Sequence, residues 1–577
     1  MTEILSCLND LYGDIAAESV FDRVQNLIDI YSLKLESLKQ QQGQSLERRL
    51  NERDAILITY GDQVQDSDYP PLQVLTEFCR RYVLDYVSGV HILPFFPYSS
   101  DDGFSVLDYR KVNPDLGSWE DISLLGRDFR LMIDLVINHV SAGSDWFQGF
   151  LKDDPRYRDY FIVVDGNPDL SEVVRPRASP LLTDFETTSE RKSVWTTFSI
   201  DQIDLNYQNP DVLLEMLEIL LFYVSHGAEF IRLDAIAYLW KEIGTSSIHH
   251  PRTHRIVQLF RLFLDRIAPW VNLITETNVP HAENLSYFGD GTNEAQLVYN
   301  FALPPLVLHT FHTGDSRRLA HWAQALTLPS NQTTFFNFLA SHDGIGINPV
   351  RGVLSEEEIK EMVNKAIAHG GLVSSKSNPD GTSSPYELNV NYFDALSDPH
   401  GDEAEEIQIN RFICAQAILL SIIGVPGIYF HSLFGSQGWP EGVKKTGQNR
   451  TINRQKLDKT VLELELSNPS SRRSRVLKRY EQLLRARASS LAFDPHGSQR
   501  VIDCGRTIFA LLREGDDPGE NLLCLHNITD HVQSIELDLV EVSKTEFTDL
   551  ISGKIYQTLE KMTISMQPYQ VLWLLCE

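Results

Sequence analysis

The sequence predicts an α/β fold: a (β/α)8 TIM barrel with insertions at its catalytic face and a C-terminal all-β domain. Three observations point there. Eight short apolar runs, rich in β-branched and aromatic residues, recur along the chain: AILITYG, GVHILPFF, FRLMIDLVIN, EFIRLDAIA, VNLITET, LVYNF, TTFFNFLAS and GVPGIYF. Amphipathic helical stretches separate most of them, such as DVLLEMLEILLFYVSHG and HRIVQLFRLFLDRIAP. Strands that are apolar along their whole length and alternate with helices belong to a parallel sheet covered on its outer side, and eight of them close a barrel. Near residue 491 the texture changes to strands and turns without helices.

In chain order, residues 1–52 read as a helical arm. Leu5, Leu8, Leu11 and Ile15, then Val24, Leu27, Ile28 and Tyr31, recur at helical spacing, and the polar stretch KQQQGQSLERR follows. The barrel is expected over 53–142, 206–346 and 404–490. Two long interruptions divide it. The first, 143–205, is rich in Asp, Pro and Arg; the second, 347–403, contains NPDGTSSP. Both follow candidate strands, so both are expected to rise from the catalytic face. Residues 491–577 carry VIDCGRTIFALLRE, NLLCLHNITD, HVQSIELDLV and MTISMQPYQVLWLLC, a small all-β domain.

Composition narrows the function. Of 577 residues, 42% are hydrophobic and 23% charged, which excludes wholesale disorder. The formal net charge is −28, so nucleic acid and an anionic membrane would both repel the chain. A small anion in a local basic pocket stays compatible. No apolar run reaches membrane-spanning length, and the acidic start MTEILSCLNDLYGDIAAES lacks the pattern of a secretory signal. The six scattered cysteines form no C-x-x-C pair and suit reduced thiols in the cytoplasm. The sequons at Asn284 and Asn527 are read as chance matches.

Polar residues cluster where barrel strands end. In Ile231-Arg-Leu-Asp-Ala, Arg232 and Asp234 fall on the same side of a strand. A carboxylate held there by a guanidinium is expected to stay ionised, as a nucleophile must; a structural ion pair is the alternative. Glu276 ends the apolar strand of LITET, where a raised pKa suits a general acid, or solvent suits an ordinary glutamate. His342-Asp343 ends another strand, and Asn138-His139 ends DLVIN. Taken singly these are a turn and a core histidine. Together, an Asp, a Glu and a third carboxylate with an Arg and two His residues match two-carboxylate glycosidic chemistry.

These residues stand in the order of the signature segments of the α-amylase superfamily, glycoside hydrolase family 13, which the chain resembles. Longer stretches are similar to its sucrose phosphorylase branch: HILPFFP, DDGF, RPR, VWTTF, KEIGT, FALPPLVLH and NRTINR. The resemblance covers about 55–577, and it implies a retaining α-glucoside phosphorylase that makes glucose 1-phosphate. It also implies roles. Asp234 is the nucleophile, Glu276 the acid/base and Asp343 the transition-state stabiliser. Asp101, His139, Arg232, His342 and Arg450 hold the glucosyl ring, with Phe104 and Phe198 stacked on it and Gln202 nearby. Arg177 binds phosphate and acceptor together with Tyr238, Asn278, Tyr386 and Glu387. Asn278 stands where the branch often has a second phosphate-contacting histidine.

The acceptor pattern departs from sucrose. Ser384 and Glu387 replace the Asp and Gln that hold fructose in sucrose phosphorylases. The segments VSAGSDWF, RPRASPLLT, GINPVRGVL and NPDGT are more similar to the glucosylglycerate phosphorylases. Glycerate brings a carboxylate for Arg177, with Arg351 and Arg252 as further candidates; Glu387 would also suit glycerol. Glucosylglycerol phosphorylase, sucrose phosphorylase and α-glucosidase are the alternatives, and a non-enzymatic binding subunit is disfavoured by the intact carboxylates. Expected partners are inorganic phosphate and a small α-glucoside, with no cofactor, no metal, no nucleic acid and no membrane, in a monomer or homodimer.

Overall fold

The computed structural model describes residues 1–41, 50–177, 179–378, 382–515, 520–538, 546–557 and 561–576. Eight parallel strands close a barrel: β1 (Ile56–Thr59), β2 (Gly89–Ile92), β3 (Arg130–Val136), β4 (Ala228–Asp234), β5 (Asn272–Thr275), β6 (Leu297–Tyr299), β7 (Thr334–Asn337) and β8 (Val425–Tyr429). Each pairs with the next in sequence, and β8 pairs with β1. These are the eight apolar runs of the sequence. Residues of β1, β2, β3, β6, β7 and β8 are buried throughout. An inner face fills the barrel and an outer face meets the helices, so no alternating polar pattern is possible.

The helical arm consists of α1 (Thr2–Tyr12) and α2 (Asp14–Gln41). It packs on α3 (Pro210–Ser225) and α4 (Pro251–Ile267), the two helices flanking β4. Ile4, Cys7, Leu8 and Leu11 are buried there, and Arg23 pairs with Asp211 at 2.6 Å. Ile15 departs from expectation at 94% exposure. Gly13, at φ 77°, breaks the helix and restarts it with Ile15 turned to solvent. Residues 42–49, all of KQQQGQSLERR but its first three, lie outside the described residues.

The first insertion contains the helix Asp145–Leu151 and a hairpin of Leu182–Glu186 with Arg191–Trp195. Its neck is an antiparallel pair, His139–Ser141 against Gln202–Asp204. The second contains the helix Glu356–Ala368 and the hairpin Leu372–Ser377 with Ser383–Asn389, extended by Ile345–Gly346. The middle of NPDGT, residues 379–381, lies outside the described residues, as do 539–540 at the end of HVQSIELDLV. Among the described residues the C-terminal domain forms a six-stranded antiparallel sheet and a separate two-stranded ribbon. It includes the hairpin Glu546–Asp549 with Ile555–Gln557, which the sequence reading did not contain.

Among the described residues the cysteines form no disulfide. Among the described residues no helix is long and apolar enough to cross a membrane. The sequon residues Asn284 and Asn527 are buried, and their amides bond to the Tyr299 and His531 carbonyls at 2.7 and 2.8 Å.

Candidate active site

The polar side chains converge at the C-terminal ends of the barrel strands. On β4, Arg232 and Asp234 share a face, with Nη1 donating to Asp234 Oδ1 at 2.9 Å. The β3–β4 register sets Asp134 beside Arg232, and the same Nη1 also donates to Asp134. His91 Nε2 lies 2.6 Å from the other Asp134 oxygen. Burial pushes the Asp134 carboxyl up, but Arg232 and His91 outweigh it and hold it at about 2. The guanidinium lies 5.2 Å over the Tyr299 ring and 5.9 Å over Phe104. Arg232 is thus a fixed, wholly buried cation beneath the carboxylates.

Glu276 directly follows β5. Ala235, at φ 51°, turns the chain after Asp234 and aims its N–H at Glu276 Oε2, 3.2 Å away. Burial raises the Glu276 carboxyl; Arg232, 3.9 Å from Oε1, only partly opposes it. Asp343, beyond β7, behaves oppositely. Burial opposes its ionisation, but Arg450 at 2.6 Å, His342 and Arg454 hold it well below the usual range. Asp234 is held ionised less firmly than the two-residue spacing alone implies. Burial, with Glu276 and Asp134 nearby, raises its carboxyl despite Arg232. One guanidinium serves Asp134, Asp234 and Glu276, so Asp234 receives only part of its charge.

One cavity is lined by Asp234, Glu276 and Asp343 together with Asp101, Phe104, His139, Phe198, Gln202, His342 and Arg450. Phe104 stacks on His342 with ring centroids 4.8 Å apart. Phe198 tilts against His139 and meets Tyr238 edge-on. His139 Nε2 donates to the Phe104 carbonyl at 2.9 Å, and burial lowers its pKa, so it is a neutral donor. The Gln202 amide reaches Asp101 at 3.4 Å. Asp101 and Asp102 take φ of 54° and 48°, and Gly103 takes 114°. A Cβ on Gly103 would meet the Pro94 carbonyl oxygen at 2.4 Å, so this loop needs glycine.

Arg177, Tyr238, Asn278 and Tyr386 line the same cavity. The Arg177 guanidinium sits 5.7 Å over the Tyr386 ring, with 27% of the side chain exposed. Asn278 Oδ1 is buried without a hydrogen-bond partner among the described residues. Glu387 departs from expectation. It is 1% exposed and does not line the cavity, because Tyr386 and Glu387 alternate across a strand. Its carboxylate accepts from Gly344 N at 2.5 Å and from Arg450 at 3.2 Å, and stands 3.8 Å from Arg177. Its charged partners are arginines. Arg351 pairs with Glu356 and Arg252 with Glu242, and neither lines the cavity. Ser384 bonds within its own hairpin, to Asn378.

The sequence reading assigned nothing to Asp134, Tyr299 or Arg454. Arg454 donates to the His342 carbonyl and to Asp102, and lies 3.8 Å from Asp343. Asp134 did carry a signal, being a lone acid inside an apolar strand run.

The family description "Alpha amylase, catalytic domain" matches residues 83–367. The glucosylglycerate phosphorylase of Spirochaeta thermophila is 50% identical, covering 100% of this chain and 98% of the relative. That of Escherichia coli is 44% identical over 99% of each. Among solved structures, sucrose 6F-phosphate phosphorylase from Thermoanaerobacter thermosaccharolyticum superimposes with a TM-score of 0.73 at 26% identity, covering 89% of this chain and 100% of that one. With identity of this extent, and with an arginine, three carboxylates and two histidines gathered at the strand ends of one closed barrel, the chain belongs to the α-amylase superfamily, glycoside hydrolase family 13, in the branch of the glucosylglycerate and sucrose phosphorylases.

Proposed function

We propose that the protein is a retaining α-glucoside phosphorylase that reversibly converts 2-O-α-D-glucosylglycerate and phosphate into α-D-glucose 1-phosphate and glycerate. Asp234 attacks the anomeric carbon while Glu276 protonates the glycosidic oxygen, and glycerate leaves. Phosphate then attacks the glucosyl-enzyme, Glu276 takes its proton, and Asp234 departs, so two inversions give retention. Asp234 lies 2.9 Å from Arg232 and Glu276 lies 3.9 Å away, so a single proton held by this pair resides on Glu276. The nucleophile is then ionised and the acid charged with its proton. Asp343, kept anionic by Arg450, faces the positive charge that develops on the ring.

The observation that carries the phosphorylase reading is Arg177. It is a half-exposed cation on the cavity wall beside the carboxylates, and its contact to Glu387 is long. Both the leaving glycerate and the entering phosphate are anions, so one cation serves them in turn. The relatives' names support glycerate, and with Glu387 turned away from the cavity the argument for glycerol loses its residue. Glucose 1-phosphate is the expected product, and the cytoplasm, where phosphate and reduced thiols coexist, is the expected location. The test offers glucose 1-phosphate with glycerate, glycerol or fructose and measures phosphate release. Fastest release with glycerate supports the reading; a preference for glycerol or fructose, or glucose release from glucosylglycerate as fast in the absence of phosphate as phosphorolysis in its presence, overturns it.

A further inference from the structure

We propose that Lys241 is a positioning residue for the glucosyl pocket, whose buried ammonium sets the neck of the first insertion. The inference rests on the reading of the cavity as a glucosyl site. Lys241 lies just beyond the short turn of helix Ile236–Tyr238 that follows β4, and its side chain is 1% exposed. Its Nζ donates to Asn138 Oδ1 at 2.6 Å and meets Asp204 Oδ2 at 2.7 Å. Asp204 in turn accepts from the Thr197 backbone N at 2.8 Å and from the Thr197 hydroxyl at 2.6 Å. Asn138 also donates to Asp204 at 3.3 Å.

The ammonium therefore joins three segments: the end of β3, the return of the insertion and the loop after the nucleophile strand. Two of these segments deliver pocket side chains next door. His139 follows Asn138, Phe198 follows Thr197, and Gln202 shares a three-residue strand with Asp204. Lys241 itself does not line the cavity, so it touches no substrate. A buried ion pair carries a desolvation cost and is weak as a source of stability; what it contributes is a single arrangement of the groups around it.

The test is Lys241→Met, which keeps length and removes charge. Displacing pocket walls by about 1 Å costs on the order of a hundredfold, so kcat/KM for the glucosyl donor should fall roughly ten- to a hundredfold. The loss should be the same with phosphate, glycerate or water as acceptor, because all share the glucosyl step. Lys241→Met/Asp204→Asn leaves no unpaired buried charge and keeps an oxygen for Thr197; it should melt cooperatively and show the same uniform loss. In folded Lys241→Ala, ethylammonium or propylammonium should raise the rate saturably, which a loss of folded fraction would not permit. Near-wild-type kcat/KM in either of the first two variants, or no response of Lys241→Ala to the amines, overturns the proposal. Any glucosyl transfer, hydrolysis included, reads this test, so its failure is distinct from a wrong acceptor assignment.

Discussion

Arg177→Ala separates phosphorolysis from hydrolysis. The side chain is 27% exposed, so its charge is partly desolvated, and its 3.8 Å approach to Glu387 leaves its donors available to an anion. Glu387 keeps Arg450 at 3.2 Å, so the variant leaves no buried carboxylate unpaired and should fold. A charge-assisted hydrogen bond contributes about 1.5–3 kcal/mol, and each 1.4 kcal/mol is about tenfold in rate or affinity. Phosphate use should therefore fall roughly ten- to a hundredfold, while water, which needs no cation, still hydrolyses the glucosyl-enzyme. Synthesis from glucose 1-phosphate should lose more with glycerate than with glycerol, because only glycerate presents a carboxylate. The assay is initial rates of phosphate and glucose release, wild type beside variant, over a range of each acceptor. Equal losses for phosphorolysis and hydrolysis would refute the anion role, and equal losses for glycerate and glycerol would refute the pairing with glycerate.

Three further outcomes follow from the site and its surroundings. Asp234→Asn should fold yet lose nearly all turnover, since an amide cannot form the glucosyl-enzyme; retained activity measured on purified protein would remove Asp234 from that role. Glu276→Gln should lose least with an activated donor such as glucosyl fluoride, and because burial raises Glu276, wild-type rates with an unactivated donor should decline as pH climbs through that raised pKa, a limb absent from the variant's profile with the activated donor. Asp394, which accepts from Gly438 N at 2.7 Å, is pushed by burial from 3.8 to about 6. A carboxyl raised on folding contributes most below its unfolded pKa and loses that contribution as pH rises between about 4 and 6, so at about 1.4 kcal/mol per unit Asp394→Asn should gain up to about 3 kcal/mol at pH 7.5 and nothing near pH 4 in thermal melts.

How much was legible in the sequence depended on whether a residue's role was local. The barrel strands were legible because burial on both faces leaves a continuous apolar run in each. The hairpin of EFTD and IYQ was not, because a partly exposed pair near the sheet edge retains only Phe547, Ile555 and Tyr556 as apolar residues. Asp234, Glu276 and Asp343 stood out as acids at strand ends. The contact of Asp134 with Arg232 was hidden, since it comes from β3–β4 register between residues far apart in sequence. The upward pull on the Asp234 carboxyl was missed for the same reason: a two-residue spacing counts one guanidinium and one carboxylate, whereas the folded site divides that guanidinium among three. For Tyr386 and Glu387, alternation establishes opposite faces, but only the folded hairpin tells which one meets the cavity.

The shared carboxylate of Glu387 carries an evolutionary consequence. On the proposed function Arg450 serves the glucose side and Arg177 the acceptor side, yet both lean on this one residue. A lineage that replaces Glu387 to accept a new alcohol disturbs Arg450, and through it Asp343, before any new contact is made. Acceptor choice and glucose handling are therefore inherited together, and effects at positions 177, 387 and 450 should be strongly non-additive. A library that varies position 387 alone would discard most variants for the wrong defect. Varying 387 with 450 and 177 together is the shorter route to a phosphorylase with a different acceptor.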